Sequence, residues 1–344
     1  MTNYSEVSAL LKELCAAKGV SGAENSAAAV AGAMLEKYMP VKIDALGSVT
    51  GRKEGRGAHI LLDAHLDQIG LIVTAVNSEG FLKVAKCGGA DSRVLAASDV
   101  TVHGKKDIFG IIASTPPHLS KPEEETKATD FEDMIVDIGM SAEKAKEIVS
   151  LGDRITFNAP YRELLGNRVS SPSVDDRAGV AAILRCLEML EEKGVDCNLS
   201  VLFSVQEETG GSGAQTGAFA ASPEEAIAVD VSFASAPGVS GEKYASLGKG
   251  TMIGYAPSLD YAMSKTLEKI AKEKEIPYQL EVMGGKTGTN CDEIQISGAG
   301  VKTALLSVPL RNMHTAVEVC DLEDIENTAR LMAEYIAERS GADA

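Results

Sequence analysis

A strand-like run that ends in two adjacent carboxylates limits most strongly what this chain can fold into. Residues 198–203 are mostly apolar or β-branched, which predicts a buried strand, and Gln206, Glu207 and Glu208 follow closely. In open α/β sheets, binding sites form at the carboxyl ends of strands. Because adjacent side chains on an extended backbone point in different directions, one carboxylate can bind a metal while the other acts as a general base. A charged, solvated turn is the alternative interpretation.

Length and composition narrow the class of protein. At 344 residues the chain is long for one domain, which favours two. The net charge of −17 argues against nucleic acid as a partner, because phosphate binding requires a surplus of Lys and Arg. Since the chain shows neither a signal-peptide pattern nor a membrane-length apolar run, we expect a cytoplasmic protein without membrane contact. The six cysteines lack Cys-x-x-Cys spacing and are expected to be reduced core residues.

The distribution of helical and strand-like patterns predicts two domains, one inserted in the other. Helices and buried strands alternate before residue 70 and after residue 165, which indicates an α/β domain made of residues 1–70 and 165–344. Between them, residues 71–164 consist of short alternating runs separated by glycine turns, typical of a small β-barrel or sandwich. Within this insertion, residues 116–130 are polar and acidic and predict a loop.

Side chains that bind divalent metals recur at or just beyond predicted strand ends, and one precedes a predicted helix. These residues are His65, Glu208, Asp230, His314 and, before the helix, Asp175. Because the carboxyl ends of parallel strands share one edge of a sheet, the five side chains can converge although they are far apart in sequence. Two imidazoles and three carboxylates without a thiolate suit Zn, Co or Mn.

Two further residues fit supporting roles at such a site. Asp67, two residues after His65, can accept the second imidazole N–H and fix the tautomer of the ring. Glu207 is then left free as the general base. Each position also has a structural interpretation, since a histidine at a strand end is often not a ligand and Asp175 could simply cap a helix.

Two other functions are compatible with parts of this pattern. A glycoside hydrolase that uses two carboxylates would employ Glu207 and Glu208, but it gives no role to His65, His314 and Asp230. A catalytically silent assembly protein could keep the same fold as a scaffold. Sensitivity to a chelator and activity on peptides distinguish these alternatives.

Five ordered motifs also carry a resemblance to a known family. They are His65-Leu-Asp67, Val174-Asp-Asp-Arg-Ala-Gly179, Gln206-Glu-Glu208, Ala228-Val-Asp-Val231 and Pro309-Leu-Arg-Asn-Met-His-Thr315. With these motifs the chain resembles the M42 metallo-aminopeptidases, the glutamyl and deblocking enzymes that form tetrahedral assemblies. The resemblance extends over essentially the whole chain. It implies a mixed, mostly parallel sheet flanked by helices, of the zinc-exopeptidase type, with an inserted β-barrel.

The resemblance also implies roles for individual residues. The implied metal ligands are His65, Glu208, Asp230, His314 and Asp175, the last bridging two divalent ions (Zn, Co or Mn) in each subunit. Asp175 is chosen over Asp176 because the family places the ligand first in this pair. Glu207 would activate a water that bridges the metals, and Asp67 would orient a ligand. Short peptides would be the substrates, and dimers formed through the inserted barrel would assemble into a homododecamer.

The chain departs from the family pattern at two places. Where the family has Glu-Glu-Val-Gly-Leu-Arg-Gly-Ala, this chain has Glu207-Glu-Thr-Gly-Gly-Ser-Gly-Ala214, so that Gly211 and Ser212 replace a bulky pair. Where the family has Gly-Thr-Asp, this chain has Gly288-Thr-Asn290, so that an amide replaces a carboxylate. Neither change affects an expected ligand. We therefore expect both changes to affect the preference for the N-terminal residue of the substrate.

Overall fold

An eight-stranded sheet and a closed barrel form the framework of the chain, which we describe from a computed structural model for residues 4–119, 127–239, 241 and 243–341. The helices are α1 Ser5–Ala16, α2 Asn25–Leu35, α3 Ala142–Ile148, α4 Val174–Glu192, α5 Ser212–Ala221, α6 Tyr261–Glu273, α7 Cys291–Ile294 and α8 Leu322–Arg339. The strands are β1 Val41–Ile43, β2 Val49–Lys53, β3 Ile60–His65, β4 Gly70–Val76, β5 Leu82–Cys87, β6 Asp99–His103, β7 Asp107–Ile112, β8 Ile135–Asp137, β9 Arg154–Phe157, β10 Arg162–Glu163, β11 Arg168–Ser171, β12 Leu199–Ser204, β13 Glu225–Phe233, β14 Thr251–Tyr255, β15 Tyr278–Val282, β16 Lys302–Leu310 and β17 Glu318–Asp321.

The large sheet has the strand order β1-β2-β12-β3-β13-β16-β14-β15. Its four central strands, β12, β3, β13 and β16, are parallel to one another, so their carboxyl ends lie along the same edge. Every residue of β3 and β12 is buried. Strands covered on both faces read as continuous apolar runs, which is why the sequence indicated them clearly.

Helices cover both faces of the large sheet. The larger hydrophobic core contains residues of α1, α2, α4, α6 and α8 on one face, and a smaller core contains residues of α5 and α7 on the other. The predicted fold class, a mixed and mostly parallel sheet flanked by helices, is confirmed. None of the helices in the described ranges is long and apolar enough to cross a membrane.

The six strands from β4 to β9 close into a barrel in the order β4-β5-β8-β7-β6-β9, with a hydrophobic core of its own. The sequence was compatible with either a barrel or a sandwich. Because β4 pairs with both β5 and β9, the strands close into a barrel. Strands β10, β11 and β17 form a third, small sheet. Of the loop predicted for residues 116–130, residues 120–126 lie outside the described residues.

The sequence did not predict helix α5, because its glycines and small residues resemble a loop. In the structure these residues allow a close approach between helix and sheet. A Cβ atom added at Gly217 would lie 2.5 Å from a methyl carbon of Leu202 on β12. Helix α5 is therefore positioned by the sheet beneath it, at a distance that larger side chains would not permit.

Candidate active site

The register of the central strands brings His65 and Asp230 together. His65 is the last residue of β3 and pairs with Ser204, the last residue of β12. On the other side of β3, Asp63 pairs with Ala228 of β13. Since side chains two residues apart point to the same face, His65 and Asp230 lie side by side, with 3.9 Å between Nε2 of His65 and Oδ1 of Asp230.

The carboxylate of Asp175 lies between the two histidines that were predicted as ligands. Its Oδ1 is 3.0 Å from Nε2 of His65, and its Oδ2 is 3.3 Å from Nε2 of His314. The same nitrogen of His314 is 3.2 Å from Oε1 of Glu208. The five predicted ligands therefore form two groups that share Asp175, and within each group the potential ligand atoms lie within 4.8 Å of one another.

Three residues that flank or belong to this cluster have a left-handed backbone. The φ angles are 64° at Ser173, 62° at Gln206 and 61° at His314. Such angles are uncommon for residues other than glycine and concentrate at functional sites, where surrounding contacts hold the chain. Here they turn the chain sharply just before Asp175 and Glu207 and at His314 itself.

Asp67 holds the turn that carries the two glutamates. Its carboxylate accepts hydrogen bonds from the backbone N–H of Glu207 at 2.9 Å, from that of Glu208 at 3.1 Å and from the hydroxyl of Ser21 at 2.6 Å. Nδ1 of His65 lies 3.0 Å from the backbone oxygen of Asp67 and 3.4 Å from its Oδ1. These donors lower the pKa of Asp67 although its burial opposes the shift.

Glu318, which the sequence analysis did not identify, connects two of the predicted ligands. Its buried carboxylate accepts the backbone N–H of Asp175 at 3.1 Å and that of His314 at 2.9 Å. Glu318 is the first residue of β17 and stands between apolar neighbours, Ala316 and Val317 before it and Val319 and Cys320 after it. That isolation was an available signal, because a buried carboxylate is unfavourable without hydrogen-bonding partners.

Comparison with known proteins places this geometry in a family. Residues 47–331 match the family described as M42 glutamyl aminopeptidase. This chain belongs to the M42 family. The lysyl aminopeptidase of Pyrococcus furiosus is 33% identical over 340 residues, which is 97% of this chain and 98% of that protein. The chain is therefore a peptide hydrolase, and the resemblance seen in the sequence is confirmed.

Solved structures of similar proteins support the same assignment. An aminopeptidase from the archaeon Desulfurococcus kamchatkensis superposes with a TM-score of 0.91 at 32% identity, covering 98% of this chain and 96% of that one. The TET1 peptidase of Pyrococcus horikoshii, which can assemble into a tetrahedron or a large octahedral shell, superposes with a TM-score of 0.85 at 31% identity, covering 96% and 99%. A Thermotoga maritima protein named endoglucanase has a TM-score of 0.77 at 29% identity, covering 95% and 96%.

The M42 site is strongly acidic. None of the Lys or Arg side chains in the described ranges forms an ion pair with the five predicted ligands; their charged partners are the two histidines. Burial raises the pKa of Asp230 well above its usual value. Although burial opposes the shift, the carboxylates of Asp175 and Glu208 raise the pKa of His314 to about 11. The cluster therefore favours additional positive charge.

Glu207 differs from the other acids of the site. Its carboxylate accepts no hydrogen bond from any described residue, whereas its backbone is held by Asp67. Burial raises its pKa to about 7, and the negative charge of Glu208 adds to the shift while His65 opposes it. A carboxyl group with a pKa near neutrality is suited both to accept and to donate a proton.

The barrel contributes backbone to the site through the two glycines that follow β5. The N–H of Gly89 lies 3.3 Å from Oε2 of Glu208, to which it donates a hydrogen bond. A Cβ atom added at Gly89 would lie 2.2 Å from Nδ1 of His314, and one at Gly88 would lie 2.6 Å from Oε2 of Glu208. No side chain fits at either position without displacing a predicted ligand.

We expect Gly89→Ala to lower kcat/KM by on the order of 10²-fold, because displacement of a site group by about 1 Å has an effect of that size. The measurement is hydrolysis of aminoacyl anilides, together with the metal content of the purified variant. Gly285→Ala is the matched control, since a Cβ atom there meets no other atom within 4 Å. Equal activity of the two variants would contradict a role for this close approach.

The two departures from the family pattern are neighbours in space. A Cβ atom added at Gly211 would lie 3.6 Å from Oδ1 of Asn290 and 2.6 Å from Cγ of Glu293. The Asn290 amide is buried and donates to Oδ2 of Asp63 at 2.7 Å and to Ser204 at 2.8 Å. Asn290 therefore supports the sheet beneath His65. Its expected influence on substrate preference stays a prediction.

Proposed function

We propose that this M42 chain is a dinuclear metal-dependent aminopeptidase that removes N-terminal residues from short peptides. The observation that carries the proposal is the position of the Asp175 carboxylate, whose two oxygens face two different histidines. Each histidine has a further carboxylate beside it, Asp230 in one group and Glu208 in the other. A shared carboxylate between two such groups is the arrangement of two-metal hydrolases.

The chemistry of the donor set fits divalent cations. Several buried carboxylates in close proximity are unfavourable unless positive charge compensates them, and no Lys or Arg of the described ranges pairs with these ligands. Imidazole and carboxylate donors without thiolate suit Zn, Co or Mn. His65 and Asp230 would hold one ion, His314 and Glu208 the other, and Asp175 both. When bound, the ions supply Lewis-acid polarisation of the peptide carbonyl and acidify the attacking water.

Glu207 is the proposed general base. Its carboxylate has no competing hydrogen-bond donor among the described residues, and burial places its pKa at about 7. It would take a proton from the attacking water and return it to the amine that leaves. Asp67 would act as a positioning residue, since it holds the N–H groups of Glu207 and Glu208 and lies against His65.

We also propose a division of the chain into a catalytic part, residues 1–70 and 165–344, and a dimerisation part, residues 71–164. Strand β7 of the barrel exposes Phe109 at 57% and Ile111 at 43% of their surface, which is unusual for large apolar side chains on a free surface. An assembly of such dimers, as a dodecamer in the cytoplasm, would restrict access to short peptides. The shells formed by TET1 of Pyrococcus horikoshii support this proposal.

A chelator distinguishes the proposed function from its alternatives. We expect EDTA to abolish hydrolysis of aminoacyl anilides and addition of Zn, Co or Mn to restore it. The reason is that the bound metal would be the electrophile that polarises the substrate carbonyl. A glycoside hydrolase is the second candidate, favoured by the name of the Thermotoga maritima neighbour. It would cleave a soluble cellulose derivative with EDTA present. Inactivity of the metal-loaded protein on a broad panel of peptides would instead favour a silent scaffold.

A further inference from the structure

Glu281 on β15 reaches across the neighbouring strand toward the centre of the sheet. It pairs with Gly254 of β14, which, as a glycine, places no side chain between Glu281 and β16. Its carboxylate accepts a hydrogen bond from the hydroxyl of Ser307 at 3.0 Å and another from the hydroxyl of Ser232. Ser307 lies on β16 and Ser232 on β13, so the side chain of Glu281 ends over the strands that carry the candidate site.

The register places this carboxylate beside the metal ligands. Ser307 pairs directly with Asp230, and Ser232 follows Asp230 by two residues on the same strand. In a parallel pair, residues in register point to the same face of the sheet, as do residues two apart, with a separation of about 6.6 Å along the strand. The carboxylate of Glu281 therefore lies on the same face of the sheet as Asp230. It extends about one pleat farther along the strand than the candidate metal centre.

Glu281 has no cationic partner among the described residues, whereas two other glutamates with little exposed surface do. Glu225 is paired with Arg339, and Glu268 with Lys265 and Lys272. The partners of Glu281 are two neutral hydroxyls. Burial raises its pKa, and no other charged group contributes noticeably to the shift. A partly buried carboxylate in this position would be stabilised by a cation that arrives from outside the chain.

We propose that Glu281 recognises the side-chain cation of an N-terminal lysine or arginine, so that this chain prefers peptides that begin with a basic residue. The inference rests on the proposed aminopeptidase function. Lysine and arginine carry their charge at the end of a long flexible stem, which suits an acceptor one pleat away from the reacting carbonyl. Ser232 and Ser307 each donate to one carboxylate oxygen, which fixes the group and leaves acceptor capacity for an ammonium or guanidinium.

The test compares lysine with norleucine, which has the same carbon stem and lacks the terminal amine. With the metal-loaded full chain, kcat/KM for the lysyl anilide should exceed that for the norleucyl anilide by roughly 10- to 100-fold, the range of a charge-assisted hydrogen bond. Glu281→Gln should remove most of this ratio while changing kcat/KM for the norleucyl anilide less than about threefold. Glu268→Gln, whose carboxylate lies on α6 with lysine partners, is the matched control and should keep the ratio.

The outcomes separate this inference from the function on which it rests. A wild-type chain that cleaves the norleucyl anilide as well as the lysyl anilide is an aminopeptidase without the proposed preference, which overturns the inference alone. An equal loss on both substrates in Glu281→Gln also overturns it, because Glu281 would then act on something common to all substrates, such as the α-amine. If no anilide is cleaved, the proposed function fails and the inference falls with it. The comparison of lysyl and norleucyl anilides with the wild-type chain tests the preference even if Glu281→Gln does not fold.

Discussion

Glu207→Gln is expected to reduce kcat/KM on aminoacyl anilides by about 10²–10⁴-fold while the protein keeps its bound metal. The substitution preserves the size of the side chain and removes its capacity to accept a proton. Its backbone N–H, which donates to Asp67, is unaffected, so the turn that carries Glu208 should stay in place. Steady-state kinetics on a panel of anilides and elemental analysis of the same preparation measure the two effects separately.

The matched control for this prediction is the neighbouring residue. Oε1 of Glu208 lies 3.2 Å from Nε2 of His314, and Glu208 belongs to a candidate ligand group, so Glu208→Gln should lower both metal content and activity. The pair of variants therefore distinguishes proton transfer from metal binding at adjacent positions of one turn. If Glu207→Gln turned over substrate at the wild-type rate, Glu207 would not be the general base.

Asp175→Asn should have the largest effect on metal binding, because Asp175 is common to both ligand groups. The amide offers one oxygen and turns its NH₂ group toward one of the two histidines, and it removes a negative charge that both ions would share. We expect loss of most bound metal and a decrease in kcat/KM of at least about 10²-fold, since even outer partners of metal ligands contribute 10- to 100-fold. Elemental analysis after dialysis against a defined metal concentration measures the first effect.

Single-group variants provide the comparison for Asp175→Asn. His65→Ala removes a candidate ligand from the group that contains Asp230, and His314→Ala removes one from the group that contains Glu208. Each should therefore deplete one ion more than the other, whereas Asp175→Asn depletes both. If Asp175→Asn bound as much metal as the wild-type chain, the shared-carboxylate arrangement would be incorrect.

The sequence predicted those parts of the molecule whose local pattern matches their environment. Strands β3 and β12 read as buried because both of their faces are covered. Helix α8, Leu322–Arg339, is another such part, because its apolar residues recur at helical spacing. Helix α5 was not predicted, since its glycines are explained only by the sheet against which they pack.

The candidate ligands were predictable in identity but not in arrangement. His65, Asp230 and the other candidate ligands are recognisable in the sequence because a polar group at the end of a buried strand is unfavourable unless it has a binding partner. Which of them are neighbours depends on strand order and register, which place β3 between β12 and β13. Short-range patterns do not specify register across strands that are more than a hundred residues apart in the chain.

The sequence by itself determined the fold class, the family resemblance and the set of chemical groups available to the site. Only the tertiary structure decided that Asp175 lies between the two histidines, that Glu318 holds Asp175 and His314, and that two glycines beside the barrel lie against Glu208 and His314. It also placed the side chain of Glu281 across β14, on the same face of the sheet as Asp230. The physical reason is that these relations are contacts between distant segments, and they exist only once the sheet has fixed which strands are neighbours and in which register.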